Sequence, residues 1–340
     1  MKEFNTDVPV AIQLWIRHDM QRKQFEILKE ARPSTLFLIS DGGRNEAEWE
    51  DIKKNREMFD TEIDWNCTIY RMYSDHNMGL YQCQAAMMEF IFSHTDRCII
   101  LEDDQLPSIS FFPFCAELLE RYKDDQRIYA ICGMNHEGIS EEVTSDYFFS
   151  RFGSIWGYAI WKRSYEEYKN DAFRHDPYTL SLLEESAKTY IPAHRKQIEK
   201  IAKFGEYDGH TPGNEFFMNF MIYAHSQMLI IPKKNMITNI GCDENATHSA
   251  SLANLPKGIR RLYNMDRYEY DFPLNHPDYV FPDTRYEKKR NRIMGFGHPL
   301  VTYYRYAETV FLHLRSGDSK QVMNKIRNFI RLRTGKMKEH

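Results

Sequence analysis

Apolar and polar positions alternate along this chain in a regular way. VPVAIQLWIR (8–17) is an apolar, β-branched run that predicts a first strand, and a helix follows over about 19–31, ended by ARP at 31–33. STLFLISDGG (34–43) predicts a second strand closing on a turn, residues 45–60 an amphipathic helix, and CTIYRMY (67–73) a third strand. A helix over 79–94 leads to the apolar run Cys98-Ile99-Ile100-Leu101, and a helix (111–125) and a strand (128–135) follow. Strands alternating with helices predict an α/β fold with a mostly parallel central sheet flanked by helices. Beyond it, FFSRFGSIWGYAIWKRSYEEY (148–168) interleaves glycines and aromatics before a helix, and residues 181–204 read as helical. Residues 209–232 predict a loop, a helix from about Asn214 and a strand. A polar loop (239–249), a wrap-around connector (255–300) and a last helix (319–333) complete the chain.

One run ends abruptly. Leu101 is followed by Glu102, Asp103 and Asp104, with Pro107 just beyond. Adjacent carboxylates repel one another, and a hard cation such as Mn²⁺ or Mg²⁺, which takes oxygen ligands, resolves the conflict. The carboxyl end of a strand is also where ligands gather in open α/β sheets. The plain alternative is a solvated acidic turn.

Composition narrows the classes. The 340 residues are 42% hydrophobic and 28% charged, with a net charge of −4, so the chain as a whole is no nucleic-acid binder. Residues 281–340 hold 14 Lys and Arg against 5 Asp and Glu, a net of +9 that leaves −13 for residues 1–280. An acidic body with a basic tail predicts a separate partner for the tail. In SKQVMNKIRNFIRLR, apolar Val322, Met323, Ile326, Phe329 and Ile330 recur at helical spacing among five cations, the pattern of a helix lying on an anionic membrane surface. A helix docked on the body with its basic face in water fits equally. Six cysteines without CxxC spacing, no signal peptide and no long apolar run lead us to expect a cytoplasmic protein, peripheral on the inner face of the membrane if the tail binds lipid.

The motifs in their order resemble those of GT-A glycosyltransferases, both the inverting Golgi N-acetylglucosaminyltransferase type that starts complex N-glycans and bacterial family-2-like sugar transferases. The resemblance covers about residues 8–250 and rests on VPVAIQLWIR, the RP before the second strand, SDGG, DHNMGLYQ, IILEDDQLPSISFFPF and FGSIWGYAIWKRSY. The EDD string is its specific part. It implies a GT-A catalytic domain over 1–254, with a donor half of about 1–135 and an acceptor half of about 136–254. Residues 255–340 would form the connector and a basic helical extension.

The resemblance also implies roles. Asp104 would ligate the metal, Asp103 would lie near the donor ribose, and Glu102 would act through the metal's waters. Arg17 and Asp41 would line the nucleotide pocket and His76 would approach the base. A surface arginine and a helix-capping cluster are the plain alternatives for Arg17 and His76. An inverting transfer needs a base on the acceptor hydroxyl. Glu215 is the match, with Asp208 in reserve, although the family has an aspartate among tryptophans where this chain has Asn214 and Phe216. His248 is a candidate late-loop metal ligand and Trp156 a candidate sugar-stacking ring, whereas Trp161 is expected in the core.

The implied activity is metal-dependent, inverting transfer of a sugar from a nucleotide-diphosphate donor. A UDP-sugar, UDP-GlcNAc among them, is the expected donor and a glycan or lipid-linked saccharide of surface-polysaccharide synthesis the expected acceptor. The alternatives are a sugar-nucleotide nucleotidyltransferase, whose Gly-rich signature VPVAIQLWIRHD lacks, and a catalytically silent nucleotide- or glycan-binding protein on the same scaffold.

Overall fold

The computed structural model describes residues 1–3, 5–169, 176–179, 181–182, 185, 221–242, 252–296, 298–317 and 323. Asp208, Glu215, His248 and nearly all of the tail helix expected at 319–333 lie outside the described residues. By its internal contacts the chain divides into two units, Met1–Ile240 with Asn264–Arg290, and Gly241–Tyr263 with Asn291–His340.

The first unit is a mixed α/β body. Among the described residues its main sheet has eight strands: β1 (Val10–Leu14), β2 (Thr35–Ser40), β3 (Thr68–Tyr73), β4 (Arg97–Leu101), β6 (Ile128–Cys132), β7 (Tyr147–Ser150), β8 (Tyr158–Trp161) and β9 (Met228–Pro232). They lie in the order β3-β2-β1-β4-β8-β6-β9-β7. The first four are parallel, with Val10 of β1 level with Leu36 on one side and Ile99 on the other. β8 runs antiparallel between β4 and β6. The apolar runs of β1, β2 and β4 hold no polar alternation because both faces are covered, and Val10, Ile12, Leu36, Leu38, Ile99 and Leu101 are buried on one side while Ala11, Phe37, Ile39, Cys98 and Ile100 are buried on the other. A two-stranded antiparallel ribbon pairs β5 (Gln105–Pro107) with β10 (Ile237–Asn239).

Helices α1 (His18–Ala31), α2 (Glu46–Thr61), α3 (Leu80–Phe92), α4 (Phe111–Arg121) and α5 (Lys162–Lys169) connect the strands close to the expected boundaries. α1 buries Gln21, Gln24, Phe25, Leu28 and Ala31, one stripe at helical spacing, and ends where Arg32 turns into the left-handed region at φ 43° before Pro33. α2 starts at Asn45, whose side chain accepts from the Glu48 amide at 3.0 Å.

The segment 148–168 departs from its expected simple form. It divides into β7, β8 and α5, and β7 pairs with β9 while β8 lies between β4 and β6. The stretch read as a connector carries helices: α6 (Lys257–Arg260), α7 (Thr284–Met294) and, from 299 onward, α8 (Pro299–Arg315). α7 hid from a hydrophobic pattern because its inward face is polar. It buries Tyr286, Glu287 and Arg290, and Glu287 binds Arg151 with bonds of 3.0 and 2.6 Å. The stretch from Asn264 to Asp283 belongs to the first unit, where Glu269 accepts from the amides of Ile109 and Ser110 at 3.1 and 2.7 Å, the favoured place for a carboxylate at the start of α4. No described helix is long and apolar enough to cross a membrane.

Candidate functional site

The strand order reverses between β1 and β4. From β1 the chain steps outward to β2 and β3, then returns to place β4 on β1's other side. The crevice at the carboxyl ends of β1 and β4 is therefore the topological switch point of the parallel sheet, where open α/β folds bind ligands. Arg17 follows β1 directly, and Glu102, Asp103 and Asp104 follow β4.

These residues meet. Arg17 donates Nε to Asp103 Oδ2 and Nη2 to Asp103 Oδ1, both at 2.8 Å, and Nη1 to Asp104 Oδ2 at 3.2 Å. The first two bonds form the fork that only a guanidinium makes on a carboxylate. Arg17 and Asp103 are each 11% exposed at the side chain and Asp104 14%, so the cluster is sheltered while still reaching solvent. Burial pushes the Asp103 carboxyl up to about 7, the charge of Asp104 adds to the rise, and Arg17 opposes it. The electrostatic conflict of the adjacent acids is relieved here by a cation from the protein itself.

Buried amides fix the shape of the acidic loop. Gln24, on the inner stripe of α1, donates Nε2 to the carbonyls of Glu102 and Gln105 at 2.7 and 2.8 Å. Gln105, fully buried, accepts at Oε1 from the amides of Glu102 (3.1 Å) and Gly157 (2.7 Å), and its Nε2 donates to Glu102 Oε2 at 2.9 Å. Glu102 is thereby turned back on its own loop. The ribbon brings a third amide: Asn239 of β10 donates Nδ2 to Asp104 Oδ1 at 3.0 Å, and the Ile240 amide donates to the Asp104 carbonyl at 3.0 Å.

A second cluster stands at the ends of β2 and β3. Asp41 Oδ1 accepts from the amides of Gly42 and Met78, both at 2.8 Å, while Oδ2 accepts from the Gly79 amide at 3.0 Å and Asn77 Nδ2 at 3.2 Å. Three of the four bonds tie the turn after β2 to the loop that enters α3. The approach is so close that a Cβ on Gly42 would lie 2.3 Å from the His76 carbonyl carbon. The His76 side chain is exposed, with Nδ1 2.7 Å from Asp75 Oδ1, and its own carbonyl accepts from the Gly42 amide at 3.2 Å. Arg56 completes the cluster. It donates to the carbonyls of Ser40, Asp41 and Ser74 at 3.3, 3.1 and 2.8 Å, and its guanidinium lies 5.3 Å from the Trp49 ring and 4.7 Å from the Tyr73 ring.

The structure thus gathers Arg17, Glu102, Asp103 and Asp104 in one cluster and Asp41 with the His76 backbone in another. Trp156 is half-buried against the core, and the following Gly157, at φ +61°, is joined to the acidic loop through Gln105. Trp161 lies in the core as expected, its indole donating to the Leu119 carbonyl at 3.1 Å. Gln24, Gln105, Asn239 and Arg56 were not singled out from sequence. Gln24 had a signal, since it falls on the same helical stripe as Phe25 and Leu28, whereas Asn239 had none.

Among the described residues no three or more His, Cys, Asp and Glu side chains are drawn into a metal-binding group. Asp103 and Asp104 nevertheless offer a donor set of carboxylate oxygens, which fits a hard divalent ion. Such an ion would share or replace the charge that Arg17 supplies.

No protein family matches the sequence, and no curated protein matches it. Solved structures similar to the chain include mouse xyloside xylosyltransferase 1 in its apo form, at 12% identity and a TM-score of 0.33 over 67% of this chain and 84% of that one. Another is mannose-1-phosphate geranyltransferase from Thermus thermophilus, at 9% identity and a TM-score of 0.29 over 71% of this chain and 76% of that one.

Proposed function

We propose that the chain is a metal-dependent inverting glycosyltransferase of GT-A type. It moves a sugar from a nucleotide-diphosphate donor, a UDP-sugar in our reading, to a glycan or lipid-linked saccharide. One observation carries the proposal: a sheltered Arg17–Asp103–Asp104 cluster at the switch point of the sheet, with the Asp41 turn at the neighbouring strand end.

Asp104 would hold Mn²⁺ or Mg²⁺, which when bound stabilises negative charge on the departing diphosphate, with Asp103 beside it near the donor ribose. The guanidinium of Arg17 is suited to the same oxygens, since its fork matches phosphate as it matches carboxylate. Gln24 and Gln105 hold the acidic loop to one shape, so its charges need little rearrangement when the donor arrives. Trp156 offers a ring for the sugar. Glu215, with Asp208 in reserve, is assigned from sequence alone to take the proton of the acceptor hydroxyl on the face opposite the diphosphate.

Calorimetric titration of UDP, GDP and CMP, each with and without Mn²⁺, on wild type and Asp104→Ala tests the reading. We expect UDP to bind with the metal and to lose binding in the variant. Binding of another nucleotide would keep the chemistry and overturn the choice of base. Absence of nucleotide binding under every condition would replace the transferase with a silent binding protein.

A further inference from the structure

Helix α8 is turned the opposite way from an ordinary surface helix. It spans 17 residues and buries none of them fully. Its docked side is polar: Arg305 Nη2 donates to the Ile293 carbonyl at 2.9 Å, Arg305 Nη1 meets Glu308 at 3.0 Å, and Glu308 accepts from the Lys257 amide at 2.9 Å. Gly258 allows this contact, because a Cβ there would lie 1.7 Å from the Arg305 guanidinium.

The apolar side faces solvent. Leu300 is 71% exposed, Tyr304 66%, Phe311 62% and Leu314 58%. At roughly 100° per residue these four fall within an arc of about 80°. Soluble proteins seldom leave such a stripe in water.

The charge of the same unit says what covers it. Its described residues carry Lys257, Arg260, Arg261, Arg292, Arg305 and Arg315 against one acid, Glu308, which Arg305 neutralises. Lys257, Arg260, Arg292 and Arg315 are exposed. Aromatic and aliphatic side chains along one face of a helix, in a unit whose described residues carry a cationic excess, fit the boundary layer of an anionic bilayer, where a tyrosine sits at headgroup depth.

We infer that α8 lies in the plane of an anionic phospholipid surface, inserting Leu300, Tyr304, Phe311 and Leu314. The inference does not depend on the sugar-transfer reading, because every residue in it belongs to the second unit.

Flotation of the full chain with phosphatidylcholine vesicles, and with vesicles that also contain phosphatidylglycerol, tests it. The wild type floats with the anionic vesicles alone, and raising the salt weakens binding. Phe311→Glu with Leu314→Glu lowers binding more than tenfold at unchanged circular dichroism, and Arg315→Glu lowers it about fivefold. Three results would overturn the inference: no flotation, equal flotation with both compositions, or a dimer in light scattering that Phe311→Glu dissolves. The last would make a second copy of the chain the occupant of the stripe.

Discussion

Two aspartates follow neighbouring regions of one sheet and are satisfied in opposite ways. Asp41 accepts four bonds from uncharged donors, three of them backbone amides, all within the turn and loop it joins. Asp103 is held by a single charged side chain, Arg17, from another element. Replacing three of the four Asp41 donors means moving backbone, whereas a guanidinium on flexible methylenes can exchange one anion for another. The same residue type serves as a rivet in one place and as an exchangeable charge in the other.

Asp41→Ala strikes hardest at that contrast. It strands the amides of Met78 and Gly79 and is expected to cost about 3 kcal/mol in urea unfolding, in line with a buried polar network that loses its centre. If stability held and only ligand binding fell, the two aspartates would be alike. Asp104→Ala is expected to do the reverse: stability changes by about 1 kcal/mol or less, while UDP binding in Mn²⁺ weakens about a hundredfold, or about 2.7 kcal/mol.

Smaller effects sharpen the comparison. Gly42→Ala forces a methyl against the His76 carbonyl and is expected to destabilise by about 2 kcal/mol. Arg56→Met removes donors from three carbonyls and the guanidinium that lies against two rings, so about 1.5 kcal/mol is expected. Arg17→Lys keeps the charge and loses the fork, with a stability change within about 1 kcal/mol and a several-fold fall in affinity for a nucleoside diphosphate. Unfolding curves and titrations run on the same preparations separate these outcomes.

The parallel half of the sheet was legible because β1, β2 and β4 are buried on both faces, and a continuous apolar run is the direct imprint of that burial. The acids were legible too, since they interrupt such a run. What relieves their repulsion was not. Arg17 and Asp103 lie 86 positions apart, and sequence alone led us to a metal where the fold also supplies a guanidinium. The inner polar face of α7 and the outer apolar face of α8 escaped notice for a common reason. Each reverses the usual relation between hydrophobicity and burial, which is the relation a pattern reading depends on.

The pairing of β5 with β10 has a consequence in time. Asn239 reaches Asp104 across 135 positions of chain, while β1, β2 and β3 pair with near neighbours in sequence. Contacts of long span close later, because more chain entropy is lost before they form. As the protein folds, or leaves the ribosome, the sheet that displays the acids is expected to take shape before Asn239 reaches Asp104. The acidic loop is expected to be finished late, only after the strand before it has found β1.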